Sequence, residues 1–95
     1  MWLLNFRGTG YSREHMWLSP DTDAEYWNFS FEEFGSFDLK TSVEFILSKK
    51  QAGQKISLLG YSQGTTVSFY ALAEDPDFYK DRIDLFVALS PTIYF

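Results

Sequence analysis

The chain has 95 residues, eight basic against thirteen acidic, a net charge of -5, one histidine and no cysteine. That length makes at most one domain, and a chain of this size buries only about 60 to 65% of the surface it exposes when unfolded. The charge excludes a binder of nucleic-acid backbone, which needs a basic stripe, and without cysteine there is neither a disulfide framework nor a thiolate metal site.

A lone His15 makes no metal site by itself, and nothing in the chain implies a cofactor or metal. No apolar run approaches the length that spans a bilayer, and Met1 to Arg7 lacks the basic start and long apolar stretch of a signal peptide. Aromatic residues make up 20% of the chain, more than a core of this size needs. The surplus predicts exposed apolar patches, self-association through exposed strand edges, or membership of a larger fold.

Met1 to Leu4 is apolar and runs into Asn5-Phe6-Arg7-Gly8-Thr9-Gly10, which reads as a buried strand leading into a turn. Since proteins rarely begin inside a buried strand, this start points to an internal fragment. Tyr11 to Thr22 has no sustained period and reads as loop, with His15 in a structural or surface role. In the aromatic stretch Asp23 to Phe37, Ser30-x-x-Glu33 is a capping box that starts a helical turn at Phe31, and Gly35 interrupts or ends it. The aromatics there pack a long loop onto the sheet, or else line a lipid-facing surface.

From Ser36 or Phe37 to Lys50 the spacing predicts an amphipathic helix with Leu39, Val43, Ile46 and Leu47 as its apolar stripe and Gly53 as a left-handed cap. Asp38 reads as a favourable charge in the first turn of that helix.

Lys55 to Leu72 carries the chemistry. Ile56-Ser57-Leu58-Leu59 reads as a strand, Gly60-Tyr61-Ser62-Gln63-Gly64 as a sharp turn, and Thr65 to Ala73 as a helix that continues without a spacer. A Gly-x-Ser-x-Gly turn between strand and helix fits a nucleophile elbow, whose strained serine projects its hydroxyl beyond the sheet. Gly60 and Gly64 are expected to be small because strand and helix approach too closely there for a Cβ. The Gln63 N-H would lie at a helix N-terminus, where aligned dipoles favour a developing oxyanion. The pentapeptide alone arises by chance in about 3% of chains this long, and a Gly-rich turn with a passive serine fits it as well. The flanking strand and helix are the features that favour the elbow.

Pro76 predicts that the second helix stops near Asp75, and Asp77 to Arg82 reads as a short helical turn or loop. Ile83 to Leu89 is a continuous apolar strand of the kind buried on both faces of a parallel sheet. Strands alternating with helices make the chain α/β with right-handed crossovers.

Several runs together resemble the acid lipase family of α/β-hydrolases, of the lysosomal and gastric type. They are Trp2-Leu3-x-Asn5-x-Arg7-Gly8, Tyr11-Ser12-Arg13-x-His15, Trp27-x-Phe29-Ser30-Phe31-x-Glu33, Phe37-Asp38-Leu39, Gly60 to Thr66, and Ala88-Leu89-Ser90-Pro91. Leu4, Phe6 and Lys40 depart from the family's usual residues, at a turn and a helix start.

The resemblance implies a three-layer α/β-hydrolase, mostly parallel, of which residues 1-95 are an incomplete domain without the cap. It implies Ser62 as nucleophile, the Gln63 N-H as an oxyanion donor, and hydrolysis of lipid esters such as acylglycerols or steryl esters through an acyl-enzyme. A lysosomal or secreted setting is implied by the same resemblance. Asn28-Phe29-Ser30 is an N-glycosylation sequon that suits it.

The family's triad runs Ser, Asp, His along the chain, and no histidine comes after Ser62. These residues alone are therefore expected to be inactive. Two alternatives stand beside the lipase reading: a non-catalytic short product acting as an interaction or decoy form, and acyl-transfer or peptidase chemistry on the same elbow.

Overall fold

A computed structural model describes residues 1-93. The chain runs from an irregular segment through a 3-10 turn, Ala24–Trp27, into a continuous helical stretch. That stretch comprises α1 (Phe31–Glu33), a π-helical segment (Phe34–Leu39) and α2 (Lys40–Ser48). Next come strand β1 (Ile56–Tyr61), α3 (Gln63–Glu74), α4 (Pro76–Tyr79) and β2 (Ile83–Leu89). The two strands pair in parallel, as the α/β reading requires, with Leu58 opposite Phe86 and Gly60 opposite Ala88. One irregularity shifts the register between Ile56 and Ser57, leaving Asp84 as an extra residue whose carboxylate accepts from the Ser57 hydroxyl at 2.8 Å.

The local start and stop signals act as their chemistry dictates. Ser30 caps α1 with a complete capping box, the Glu33 carboxylate accepting from the Ser30 N-H at 2.7 Å. Those backbone hydrogen bonds, the Ser30 contact foremost, hold the Glu33 carboxyl below its ordinary range. Pro76 opens α4 rather than continuing α3, and Asp75 caps α4 by accepting from the Phe78 N-H at 3.2 Å.

The core is small and lies between α3 and the long helical stretch. Val67, Ala71, Leu39, Val43 and Tyr79 are buried together, with Leu58, Ile56 and Leu47 packed against them. Of the apolar stripe expected at Leu39, Val43, Ile46 and Leu47, the first two are buried in this core and Leu47 packs against it, while Ile46 is half-buried outside it. Gly35 lies in the π-helical segment that interrupts the α-helical pattern without ending the helical stretch, and it is buried: a Cβ there would lie 2.7 Å from the Tyr70 ring and 3.3 Å from the Val67 carbonyl. Its smallness lets the π-helical segment lie against α3, a tertiary demand that a local reading of glycine as a breaker misses.

Other expectations are corrected. Met1 to Leu4 forms no strand and its side chains are exposed, since no strand lies alongside it among the described residues. The first helix ends at Ser48 rather than Lys50, and Gly53 (φ 84°) serves a separate turn closed by the Gln54 N-H donating to the Gln51 carbonyl. Asp38 is not a simple dipole charge, for it binds Arg7 in three ways. It accepts from the Arg7 N-H at 2.8 Å, from Nε at 2.8 Å and from Nη2 at 2.7 Å.

β2 is covered on one face only, with Leu85 and Leu89 exposed alongside Leu59 and Tyr61 of β1. The aromatic loop packs on itself and on the helices rather than on the sheet. Phe6 stacks on Phe34 with ring centroids 4.8 Å apart, Phe29 meets Phe34 at 5.5 Å, and Phe31 meets Tyr70 of α3 at 5.5 Å.

Burial pushes the Tyr79 hydroxyl up to about 12, with Asp75 and Glu44 adding to the shift, and that oxygen has no hydrogen-bond partner among the described residues. Tyr79→Phe removes the orphan while keeping the ring, so it is expected to raise stability by up to about 1 kcal/mol in urea unfolding; a loss of stability would reveal a partner for the hydroxyl.

A second prediction concerns acid. Lys40 Nζ donates to Asp75 Oδ2 at 2.7 Å, and this contact, before the Phe78 N-H, holds the Asp75 carboxyl below its ordinary 3.8. A depressed carboxylate stabilises the fold above its unfolded value, and that contribution is lost as pH falls through the lower folded one. Lys40→Met should flatten the fall in unfolding midpoint as the pH drops below the ordinary carboxylate value of 3.8; an unchanged acid limb would mean that the pair contributes nothing.

Candidate active site

The strand β1 passes into α3 through one residue, Ser62, at φ 50° and ψ -114°. A non-glycine residue in that region costs about 1 to 3 kcal/mol and persists only where its surroundings fix it. They do so here on both sides of the peptide. The Ser62 N-H donates to the Leu89 carbonyl at 3.0 Å, tying the turn to the end of β2. The Ser62 carbonyl accepts from the Thr65 N-H at 2.9 Å and from the Thr65 hydroxyl.

The reason for the strain is steric. At Gly60 a Cβ would lie 2.9 Å from the Gly64 carbonyl oxygen and 3.0 Å from both Gly64 C and Thr65 N, all backbone atoms. Strand and helix therefore meet backbone to backbone, and the chain reverses within a residue. The expectation for Gly64 is corrected: a Cβ there meets nothing within 4 Å, because the close approach is made by its carbonyl and not by its Cα face.

A serine immediately before a helix usually caps it by accepting from an N-H in the first turn. Ser62 occupies the cap position and its side chain makes no such bond. With the backbone in that conformation the hydroxyl makes no hydrogen bond among the described residues. The Gln63 N-H, first in α3, likewise donates to none of them. An uncommitted hydroxyl beside an uncommitted amide at the positive end of a helix is an arrangement suited to nucleophilic attack with oxyanion stabilisation. Tyr61 points to solvent, 68% exposed.

Two buried residues extend the site beyond the five-residue motif. The Thr65 hydroxyl donates to the Ser62 carbonyl while accepting from the Thr92 N-H at 2.9 Å, and the Thr66 hydroxyl donates to the Thr92 carbonyl. Side chains of α3 thus satisfy the backbone after β2, next to Ser90, which also has a positive φ of 46°. In the sequence the two appear at the end of the resembling run Gly60 to Thr66 and as a pair of poor helix formers in the first turn of a helix, and neither signal names their hydrogen-bond partner.

The other candidate residues have partners or settings of their own. His15 accepts at Nδ1 from the Trp17 N-H at 3.2 Å and the Leu18 N-H at 3.0 Å, a loop-building role that agrees with its structural reading. Asp38 is bound to Arg7, and Asn28 is exposed on the aromatic loop. An open groove of about 660 Å³ is lined by Leu4, Arg7, Tyr11, Arg13, Phe37 and Asp38 among others, and Ser62 is not part of it. Among the described residues no group of His, Asp and Glu could hold a metal.

With that geometry in place, a comparison with protein-family models matches residues 1-94 to the alpha/beta hydrolase fold. The chain belongs to that family. Within it, the chain is 40% identical over 91 residues to gastric triacylglycerol lipase of Bos taurus, covering 96% of this chain and 22% of that protein. It is 43% identical over 94 residues to lipase member K of Homo sapiens, covering 98% of this chain and 23% of that protein. It is 41% identical over 93 residues to lysosomal acid lipase/cholesteryl ester hydrolase of Macaca fascicularis, covering 98% and 23%. The resemblance to acid lipases is borne out, and the chain spans less than a quarter of the length of these relatives.

The two glycines of the hydrolase turn differ in a testable way. Gly60→Ala forces a Cβ against backbone that cannot yield and should destabilise by roughly 1 to 3 kcal/mol, whereas Gly64→Ala, facing open space, should cost little. Unfolding midpoints of the two variants measure the difference, and equal losses would contradict the backbone contact at Gly60.

Proposed function

We propose that residues 1-95 are part of a larger α/β-hydrolase domain and carry the nucleophile of a serine carboxylic-ester hydrolase that acts on lipid esters. The observation that carries this reading is the Ser62 hydroxyl, withheld from capping α3 by a backbone at φ 50°. A passive serine at a helix start has no reason to leave a favourable cap unmade while occupying a costly conformation.

In the proposed reaction a general base takes the Ser62 proton, and Oγ attacks the ester carbonyl to form a tetrahedral intermediate. The Gln63 N-H, aligned with the α3 dipole, donates to its oxyanion. Collapse expels the alcohol, which receives the proton, and leaves an acyl-serine; water then attacks by the same route and releases the acid. His15 is committed to its own loop, so the base is a histidine outside these residues, with an acid residue to orient it.

The same elbow serves acyl transfer and peptidase action equally well. Lipid esters are favoured because the relatives are named as lipases, one for triacylglycerol and one for cholesteryl ester. A lysosomal or secreted setting draws on the same names. The open face of the sheet, with Leu59, Tyr61, Leu85 and Leu89 exposed, fits a domain whose further segments cover it.

In protein made from the complete reading frame, a phosphonate ester probe should label Ser62. Ser62→Ala should abolish labelling and lower kcat on a triacylglycerol emulsion by about a million-fold. Residues 1-95 alone should show no turnover above background. Label on another residue, or turnover that survives Ser62→Ala, would remove the proposal.

A further inference from the structure

We infer that Asn28 is an acceptor for an N-linked oligosaccharide, an inference that rests on the secretory setting proposed above. The sequon Asn28-Phe29-Ser30 is short enough to occur for unrelated reasons, so the decisive question is whether the fold already uses both polar residues. It uses Ser30 fully. The Ser30 hydroxyl accepts from the Glu32 N-H and donates to the Glu33 carboxylate within the capping box.

Asn28 is different. Its backbone is engaged, with its N-H donating to the Glu25 carbonyl at 3.1 Å. Its φ of -79° and ψ of 69°, together with the Phe29 N-H donating to the Trp27 carbonyl at 2.9 Å, make an inverse γ-turn centred on it. Yet the side-chain amide of Asn28 is exposed and hydrogen-bonds nothing among the described residues. Asparagine is favoured in turns because its side chain can bond nearby backbone, and here it does not.

The neighbours accentuate the contrast. Tyr26 is buried and donates its hydroxyl to the Arg13 carbonyl at 2.8 Å, Trp27 donates Nε1 to the Pro20 carbonyl at 2.9 Å, and Phe29 packs on Phe34. Each is fixed by a contact of its own. The amide at the tip of the γ-turn is the group the local fold leaves unused, and a bulky polar substituent there displaces no contact of the loop.

The modification balances as a group transfer. Asn28 Nδ2 attacks the anomeric carbon of an oligosaccharide carried on a polyprenyl diphosphate, the co-reactant of the secretory pathway. The N-glycosidic bond forms as the sugar-phosphate bond breaks, the lipid diphosphate leaves, and one Nδ2 proton is lost to base.

The test expresses the complete reading frame in a eukaryotic secretory host, once with its own start and once behind a foreign secretory leader. An amide-cleaving glycosidase converts a glycosylated asparagine to aspartate, read by mass on the tryptic peptide spanning residues 14-40. Conversion at Asn28 is expected in both, lost in Asn28→Gln and in Ser30→Asp, and retained in Ser30→Thr. Ser30→Asp keeps a capping side chain while removing the sequon, so its loss of glycan cannot be ascribed to a broken helix start. Conversion only behind the foreign leader would keep the acceptor assignment and remove the secretory reading. An unconverted Asn28 in protein recovered from the medium would overturn the inference.

Discussion

The backbone contact between Gly60 and the first turn of α3 is the constraint on which the other features of the structure depend. With no Cβ at Gly60, the strand reaches the Gly64 carbonyl, and the chain must turn from strand to helix within Ser62 alone. Only a positive φ accomplishes that, and the strain is held by three hydrogen bonds that reach both forward into α3 and across to β2. In the same conformation the serine hydroxyl leaves the helix it precedes uncapped. The strained backbone at Ser62 and the packing of β1 against α3 are therefore consequences of one missing methyl group.

A second consequence runs through the helical layer. Because α3 is anchored at its start, its buried face is fixed, and Val67 and Ala71 define where the preceding helical stretch must lie. The π-helical segment accommodates this. An added residue in one turn rotates all later positions by roughly 100° relative to a regular α-helix. In the rotated register Leu39 and Val43 enter the core while Asp38 faces Arg7. Gly35 sits inside that segment, where any side chain would meet the Tyr70 ring and the Val67 carbonyl.

How much of the fold is legible in the sequence depends on how local each signal is. The capping box at Ser30, the stop at Pro76 and the strand-turn-helix at Ile56 to Ala73 depend on residues within a few positions of one another, and each stands where its chemistry puts it. Met1 to Leu4 has strand chemistry, but a strand exists only beside another strand. Asp38 reads as a helix-start charge because its partner, Arg7, lies 31 residues away along the chain. At the site, the motif locates Ser62, Gln63 and the close approach, but it assigns that approach symmetrically to both glycines. Only backbone geometry distinguishes the Cα of Gly60 from the carbonyl of Gly64, and only it reveals that Ser62 is not a cap.

The surplus of aromatic residues has a structural answer in the segment before α1. Rings succeed one another from Trp17 through His15, Tyr26, Trp27 and Phe29 to Phe34 and Phe6, with centroids 4.8 to 6.1 Å apart. Gly8, at φ 82°, lies under this ladder with the Phe29 and Trp27 rings so near that a Cβ would meet them at 2.8 and 3.0 Å. The loop is therefore held by stacked and edge-on rings and a few side-chain hydrogen bonds in place of a regular backbone ladder. Contacts of that kind, many of them partly exposed, give a segment lower local stability than a buried core does. The loop is expected to open at lower free energy than the β1-α3-β2 unit, which makes it the part of the chain that tolerates a surface substituent and the unit beneath it the part that does not.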